Sequence, residues 1–306
     1  MATSTGNLAP SGVAASARLV PPVRAEYVAA ALEPAAGRDV QRPLSIWSRL
    51  ANVDGLRRLV ILAALLAVWE VYARWLDNPL MFPTLTATVE ALVDGLQHGA
   101  LLERILASLK ALSISYAIGI ALAGALTALA VSTRIFTDVL ATLTSMFNPL
   151  PAIALLPLAL QWFGLGTPSL VFVIVHSVLW PVALNTHSGF LAVSETQRLA
   201  GQNYGLRGLR FVALILVPAA FPSILTGLKI GWAFAWRTLI AAELVFGVSS
   251  RSGGLGWFIF EMRNQLETAS VFAGLLCVIL IGLFVESVIF RSIEARTVRR
   301  WGMQRS

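Results

Sequence analysis

Very little of this 306-residue chain is charged: Asp, Glu, Lys and Arg make up 13% of it, against 57% hydrophobic residues and a mean hydropathy of +0.75. A soluble globular domain carries about twice that charged fraction, so the composition is that of an integral membrane protein. From Val139 to Ser194 there is no Asp, Glu, Lys or Arg across 56 residues, room for two spans of about 20 residues each. Cysteine is nearly absent. Cys277, alone in an apolar stretch, excludes an internal disulfide and a thiolate metal or redox motif. His98, His176 and His187 are too scattered to suggest a ligand cluster, and a histidine inside a bundle is read first as satisfied by a neighbour. No Gly-rich stretch ends in Gly-Lys-Ser or Gly-Lys-Thr, so the usual phosphate loop for ATP is missing. Nor is there a Gly-x-Ser-x-Gly elbow, a His-Glu-x-x-His pair or a pair of intramembrane carboxylates on one helix face. Enzymatic activity is not expected, and energy for any work must come from elsewhere.

What is present reads as an all-α, polytopic chain with about six spans. Residues 1–43 are rich in Ala, Pro, Ser and Gly without an apolar core or secretory signal, an expected disordered cytosolic arm. A first span and its approach occupy 44–76, with Trp69, Glu70, Tyr72, Arg74 and Trp75 making the outer third interfacial. Residues 77–108 are expected to hold a helix along the outer surface. Further spans follow at about 109–131, 139–160, 170–193, 221–246 and 268–290, with Gly164, Gly166 and Pro168 marking one turn. The arm, the 132–138 and 192–220 connections and the tail from Arg291 hold sixteen Lys and Arg, and the three opposite segments hold four. By the positive-inside rule both termini are cytoplasmic. The net charge of +7 then answers to anionic lipid at the inner leaflet and needs no nucleic acid.

The most distinctive stretch runs from Ser194 to Ile230, a polar island carrying Arg198, Arg207 and Arg210, with Gly205 thirteen residues ahead of Pro218. Leu206, Leu209, Ala213 and Leu216 recur at helical spacing, which describes a short amphipathic helix after a glycine turn. It is either an ordinary basic connector or a seat for a partner. Inside the fifth span, Lys229, Arg237 and Glu243 each carry a desolvation cost of about 2.5 to 3.5 kcal/mol at mid-bilayer. Six residues turn a helix by about 240°, so Arg237 and Glu243 cannot pair on it. Each faces a neighbour or a wet cavity: Arg237 is the candidate to attract an anion, or else Lys229 and Arg237 bond to carbonyls while Glu243 caps the outer rim. Gly227 and Gly231 are spaced for close helix approach. Asn148, Pro149, Pro151 and Pro157 interrupt the third span, either lining a pathway or only shaping the bundle. Asn185, Thr186 and His187 lie toward the cytoplasmic end of the fourth, either as interhelical hydrogen-bond partners or as pathway lining.

The Ser194–Pro218 segment resembles the cytoplasmic loop of ABC-importer permeases, whose pattern is Glu-Ala-Ala, three residues, Gly, then a gap ending in Leu-Pro. Ala200, Gly205 and Pro218 match it; Leu199, Gly201 and Val217 stand where the glutamate, the second alanine and the leucine are usual. From about Pro79 to Trp301 the chain is similar to the nitrate/sulfonate/taurine branch. FPT at 82–84, ASLKAL at 107–112, NPLPAIALLPLALQWFGLG at 148–166, LNTHSG at 184–189, VPAAFP at 217–222, TGLKI at 226–230, AAE at 241–243 and GGLG at 253–256 carry the similarity, with Lys110 where arginine is usual. The resemblance implies a type I importer architecture: a permease core over 77–291 and a short cytoplasmic tail at 292–306. It implies two permease subunits, most simply a homodimer, two ABC ATPases holding ATP and Mg, and a periplasmic or extracellular solute-binding protein. No cofactor is expected on this chain. Ala200, Gly201, Tyr204, Gly205, Leu206, Arg207 and Pro218, in a coupling loop at about 193–218, would meet the ATPase. Asn148, Asn185, Lys229, Trp236, Arg237 and Glu243 are the candidate pathway residues for a small organic or inorganic anion. The rival reading is a secondary carrier driven by an ion gradient, against which stand the lack of an internal repeat and of a midplane acid.

Overall fold

The computed structural model describes residues 54–246 and 253–300. Residues 1–43, expected to be a cytosolic arm, and the 44–53 approach therefore lie outside the described residues. Among those described, five helices are long and apolar enough to cross a membrane, and a bent pair brings the number to six.

Helix α1 (Asp54–Leu76) meets the rest chiefly at its last turns. There Trp69 Nε1 donates to the carbonyl of Pro83 (3.0 Å), and Glu70 accepts from the N–H of Leu85 (2.7 Å) at the start of α2 (Leu85–Gln97). Thr84 caps α2 and Phe82 packs edge-on to Tyr72 and Phe272, so the FPT string is the joint between the first span and α2. The long α3 (Leu101–Ser132) buries Ser108, Ser115, Gly119, Ala123, Thr127 and Ala130 on one stripe. Apolar burial gives helices no net attraction in lipid, and small residues let backbones approach closely enough for dispersion to hold them.

The core is the antiparallel pair α6 (Thr167–Leu191) and the fifth span. A Cβ on Gly231 would lie 2.9 Å from Val182, one on Gly227 2.8 Å from Asn185, and one on Gly189 2.6 Å from Ser223. The expected close approach at Gly227 and Gly231 is thus met from the other side by Gly189. Across α6, a Cβ on Gly119 of α3 would lie 2.7 Å from Val178.

Besides α3, which starts at Leu101 and not at about 109, three boundaries differ from the sequence expectation. The third span is not one kinked helix: α4 (Arg134–Phe147) stops, Asn148–Pro151 turns, and a 3-10 turn (Ala152–Leu155) leads into α5 (Leu156–Phe163) at 89°. Pro149 and Pro151, separated by one residue, remove two amide donors, and the backbone leaves helical geometry at Pro151 (φ −60°, ψ 117°), whereas Pro157 sits in the first turn of α5, where no donor is needed. The fifth span starts earlier, with α8 (Gly208–Phe211), a π-helical turn (Val212–Leu216) and α9 (Val217–Phe246) in one rod. The widened turn just before Pro218 makes room for its ring. No separate amphipathic helix follows Gly205, and of its expected stripe only Leu216 is buried. Finally, α10 (Leu255–Asn264) leads to the last span. This span continues from α11 (Thr268–Phe284) through a π-helical turn (Val285–Phe290), α12 (Arg291–Glu294) and a second such turn (Ala295–Arg299), beyond the point where a tail was expected. Val298 is buried in a cluster with Leu225, Val285 and Phe290, which keeps the helix from fraying.

Candidate transport pathway and coupling loop

The break between α4 and α5 opens a cavity of about 380 Å³ between that turn, α6 and α9. Arg237 is the only Lys, Arg, Asp or Glu among its described lining residues. Its Nε donates to the carbonyl of Ala233 (3.1 Å) and its guanidinium lies 5.2 Å from the centre of the Phe234 ring. Aromatic rings line the same cavity: Phe147 stacks on Trp180 (5.2 Å between centroids), and His176 stands edge-on to both. A second cavity of about 250 Å³, lined by Leu140, Thr144, Leu184 and His187, shares Asn148 and Pro149 with the first.

Five buried side-chain polar atoms among the described residues have no hydrogen-bond partner: Thr144 Oγ1, both ring nitrogens of His176, Trp180 Nε1 and His187 Nε2. Each belongs to a residue lining one of these two cavities. Buried polar groups are paired in the great majority of cases, so their concentration along one track marks it off from the rest of the bundle. Sequence reading considered His187 as pathway lining but missed His176 and Trp180, treating the histidines as scattered. Eleven residues turn a helix by three turns and about 20°, which puts His176 and His187 on one face, with Trp180 between them.

The sequence-derived pathway residues divide. Asn148 lines both cavities and Arg237 the first. Asn185 is about 180° around α6 from His176; it donates to its own helix at Pro181 (2.8 Å) and faces Gly227. Trp236 is buried and donates to the carbonyl of Val278 (3.2 Å) in the last span. Lys229 pairs with Glu294 at 2.7 Å, a partner 65 residues away, not the neighbouring carbonyl considered above. Glu243, 4% exposed, neither caps a rim nor lines the described cavities. It accepts from Ser108 Oγ (2.7 and 2.8 Å) and the N–H of Gly256 (2.8 Å), while the N–H of Leu255 donates to Ser108 Oγ (2.7 Å). The carboxylate thus sits at the start of α10, where free amides and the helix dipole favour negative charge. A Cβ on Gly254 would fall 2.1 Å from Glu243 Oε1 and 2.2 Å from Ser108 Oγ, so only glycine fits. Arg104 closes the joint by donating to the carbonyl of Gly253 (2.9 Å) and approaching Glu261 (3.4 Å). Three separated strings, ASLKAL, AAE and GGLG, meet here.

At the other end of the bundle, Ser194 precedes α7 (Glu195–Asn203), which ends in a left-handed glycine cap. Gly205 has φ +74°; its N–H reaches the carbonyl of Gln202 (2.9 Å) and the N–H of Leu206 that of Gly201 (3.1 Å), the paired bonds that close a Schellman turn. Gly201 is buried, and a Cβ there would lie 2.8 Å from Ile215 and 3.0 Å from Phe211. Arg198 donates to the carbonyls of Val193 and Phe190 at the end of α6. Ala200, Tyr204, Gly205, Arg207 and Pro218 are exposed, Tyr204 at 87%, while Leu206 is half-buried. The helix of this loop therefore precedes Gly205, held to the spans by Arg198 and Gly201.

A bundle of apolar helices around a cavity with one cation, and a short polar helix seated on its end, defines a multi-pass membrane transport subunit. Residues 116–298 match the family described as "Binding-protein-dependent transport system inner membrane component", and the chain belongs to it. It is 31% identical to a putative ABC transporter permease protein of Methanocaldococcus jannaschii, over 73% of this chain and 84% of the relative. It is also 31% identical to the taurine transport system permease protein of Escherichia coli, over 74% and 82%, and 28% identical to the nitrate import permease protein of a Synechocystis species, over 76% and 86%.

Proposed function

We propose that this chain is the permease subunit of an ATP-driven importer for a small organic or inorganic anion, working by alternating access. The observation that carries the anion reading is Arg237, the one charged side chain among the described residues lining the cavity at the broken third span; relatives named for taurine and nitrate support it. Two copies of the chain would complete the pathway, with both termini cytoplasmic and lipid around the exposed apolar faces. Energy comes from a separate ABC ATPase that holds ATP and Mg, this chain binding neither, and a solute-binding protein delivers the anion from outside. The exposed side of α7, with Ala200, Tyr204 and Arg207, is the seat for the ATPase.

The test is ATP hydrolysis by the reconstituted chain with its candidate ATPase, with and without binding protein, across a panel of anions. Stimulation that needs both partners is the expected result; ion-driven uptake by this chain alone would replace the reading with a secondary carrier. Gly205→Asp forces a side chain into left-handed backbone, a strain of about 1 to 2 kcal/mol, and is expected to weaken co-purification of the ATPase while the chain still inserts. Unchanged co-purification would remove the coupling role from this turn.

A further inference from the structure

We propose that the cavity at the broken third span binds a planar aromatic monoanion, an arene carboxylate or arenesulfonate, with its ring on the Phe147–Trp180–His176 wall and its charged group at Arg237. This rests on the permease reading above and gives it a ligand class.

The charge count comes first. One guanidinium and no carboxylate line the cavity among the described residues, which suits a single negative charge. With one of its N–H groups spent on Ala233 and its face over Phe234, Arg237 keeps the planar fork that fits a carboxylate or sulfonate in two-point contact. Size is the second argument. A volume of about 380 Å³ falls in the range of about 300–1,000 Å³ typical of pockets for organic ligands, and an inorganic ion at Arg237 would leave most of that space unfilled. The third is the character of the aromatic wall. Phe147 and Trp180 already present a stacked pair, with His176 edge-on to it, an arrangement to which another ring adds by offset or edge contact. An aliphatic ammonium sulfonate has no π face to offer, and its ammonium would meet Arg237 with like charge.

The experiment is equilibrium binding of radiolabelled benzoate and benzenesulfonate to the full chain in lipid nanodiscs, against empty nanodiscs, with nitrate and taurine as competitors. Saturable binding is expected, with nitrate and taurine displacing the label only at about tenfold or greater concentration than unlabelled benzoate, since they lack the ring contacts. Arg237→Gln is expected to weaken binding about tenfold or more by removing the charge-assisted contact. Trp180→Leu should weaken it about fivefold or more, and Trp180→Phe, which keeps a ring, by less. Equal competition by nitrate or taurine on the unaltered chain overturns the proposal without recourse to any variant, as does the absence of saturable binding. Because this assay contains no partner proteins, its failure leaves the ATPase-stimulation test standing, and failure of that test leaves arene binding to be read by itself.

Discussion

Two polar regions inside the same bundle are built on opposite terms. At the Glu243 joint, both carboxylate oxygens, the Ser108 hydroxyl and the amides of Leu255 and Gly256 are paired within 2.7–2.8 Å, and glycine brings the backbone into contact with them. Along the α6 face that carries His176, Trp180 and His187, four buried polar atoms are left without partners, and Thr144 Oγ1 on α4 is a fifth. A fully paired buried network stiffens the place it occupies, whereas unpaired groups raise the free energy of the conformation that hides them. The first region therefore reads as a fixed joint between α3, α9 and α10. The second is the place where a ligand, water or a rearranged backbone lowers the free energy.

That contrast has measurable consequences. The largest effect is expected from Glu243→Ala, which strands the Ser108 hydroxyl and the Gly256 amide: a loss of roughly 3 kcal/mol or more, seen as a lower melting temperature of the detergent-purified chain. A melt like that of the parent would mean that the joint is not fixed at all. Gly254→Ala comes next, since its Cβ would overlap Glu243 and Ser108; overpacking of this kind costs about 1 to 3 kcal/mol. Thr144→Val has the opposite sign. Replacing an unpartnered hydroxyl by a methyl is expected to leave the melt unchanged or raise it by the equivalent of about 0.5 to 1 kcal/mol, and a drop would show that Thr144 has a partner in the working protein. Arg237→Ala should move stability least, within about 0.5 kcal/mol for an exposed site, while uptake falls. Unchanged uptake would return Arg237 to a packing role.

The spans were legible because lipid enforces composition: a run free of Asp, Glu, Lys and Arg from Val139 to Ser194 admits little else. Pro149 and Pro151 announced an interruption, yet not its 89° bend, which depends on what α6 and α9 leave room for. Gly205 was legible as a turn because left-handed backbone favours glycine; that the loop helix lies before it, and not after, depended on Gly201 fitting against Phe211 and Ile215. Charges were the hardest to read. Lys229 and Glu243 are each answered from another segment, Glu294 and Ser108, 65 and 135 residues away, and no periodicity within one helix reveals such pairings. The histidine face of α6 was recoverable, since a spacing of eleven is a helical repeat.

The first span carries a consequence of a different kind. Only 6% of its most apolar window is buried inside the protein, at a mean hydropathy of 1.8, and the contacts of Trp69 and Glu70 form with residues made later in synthesis, Pro83 and Leu85. During biogenesis this helix must enter the bilayer on its own partitioning and wait there as an independent anchor. Once the chain reverses at residues 77–84, the aromatic cluster moors it by its last turns. A moored anchor of that sort can stay with the lipid while the core behind it changes shape.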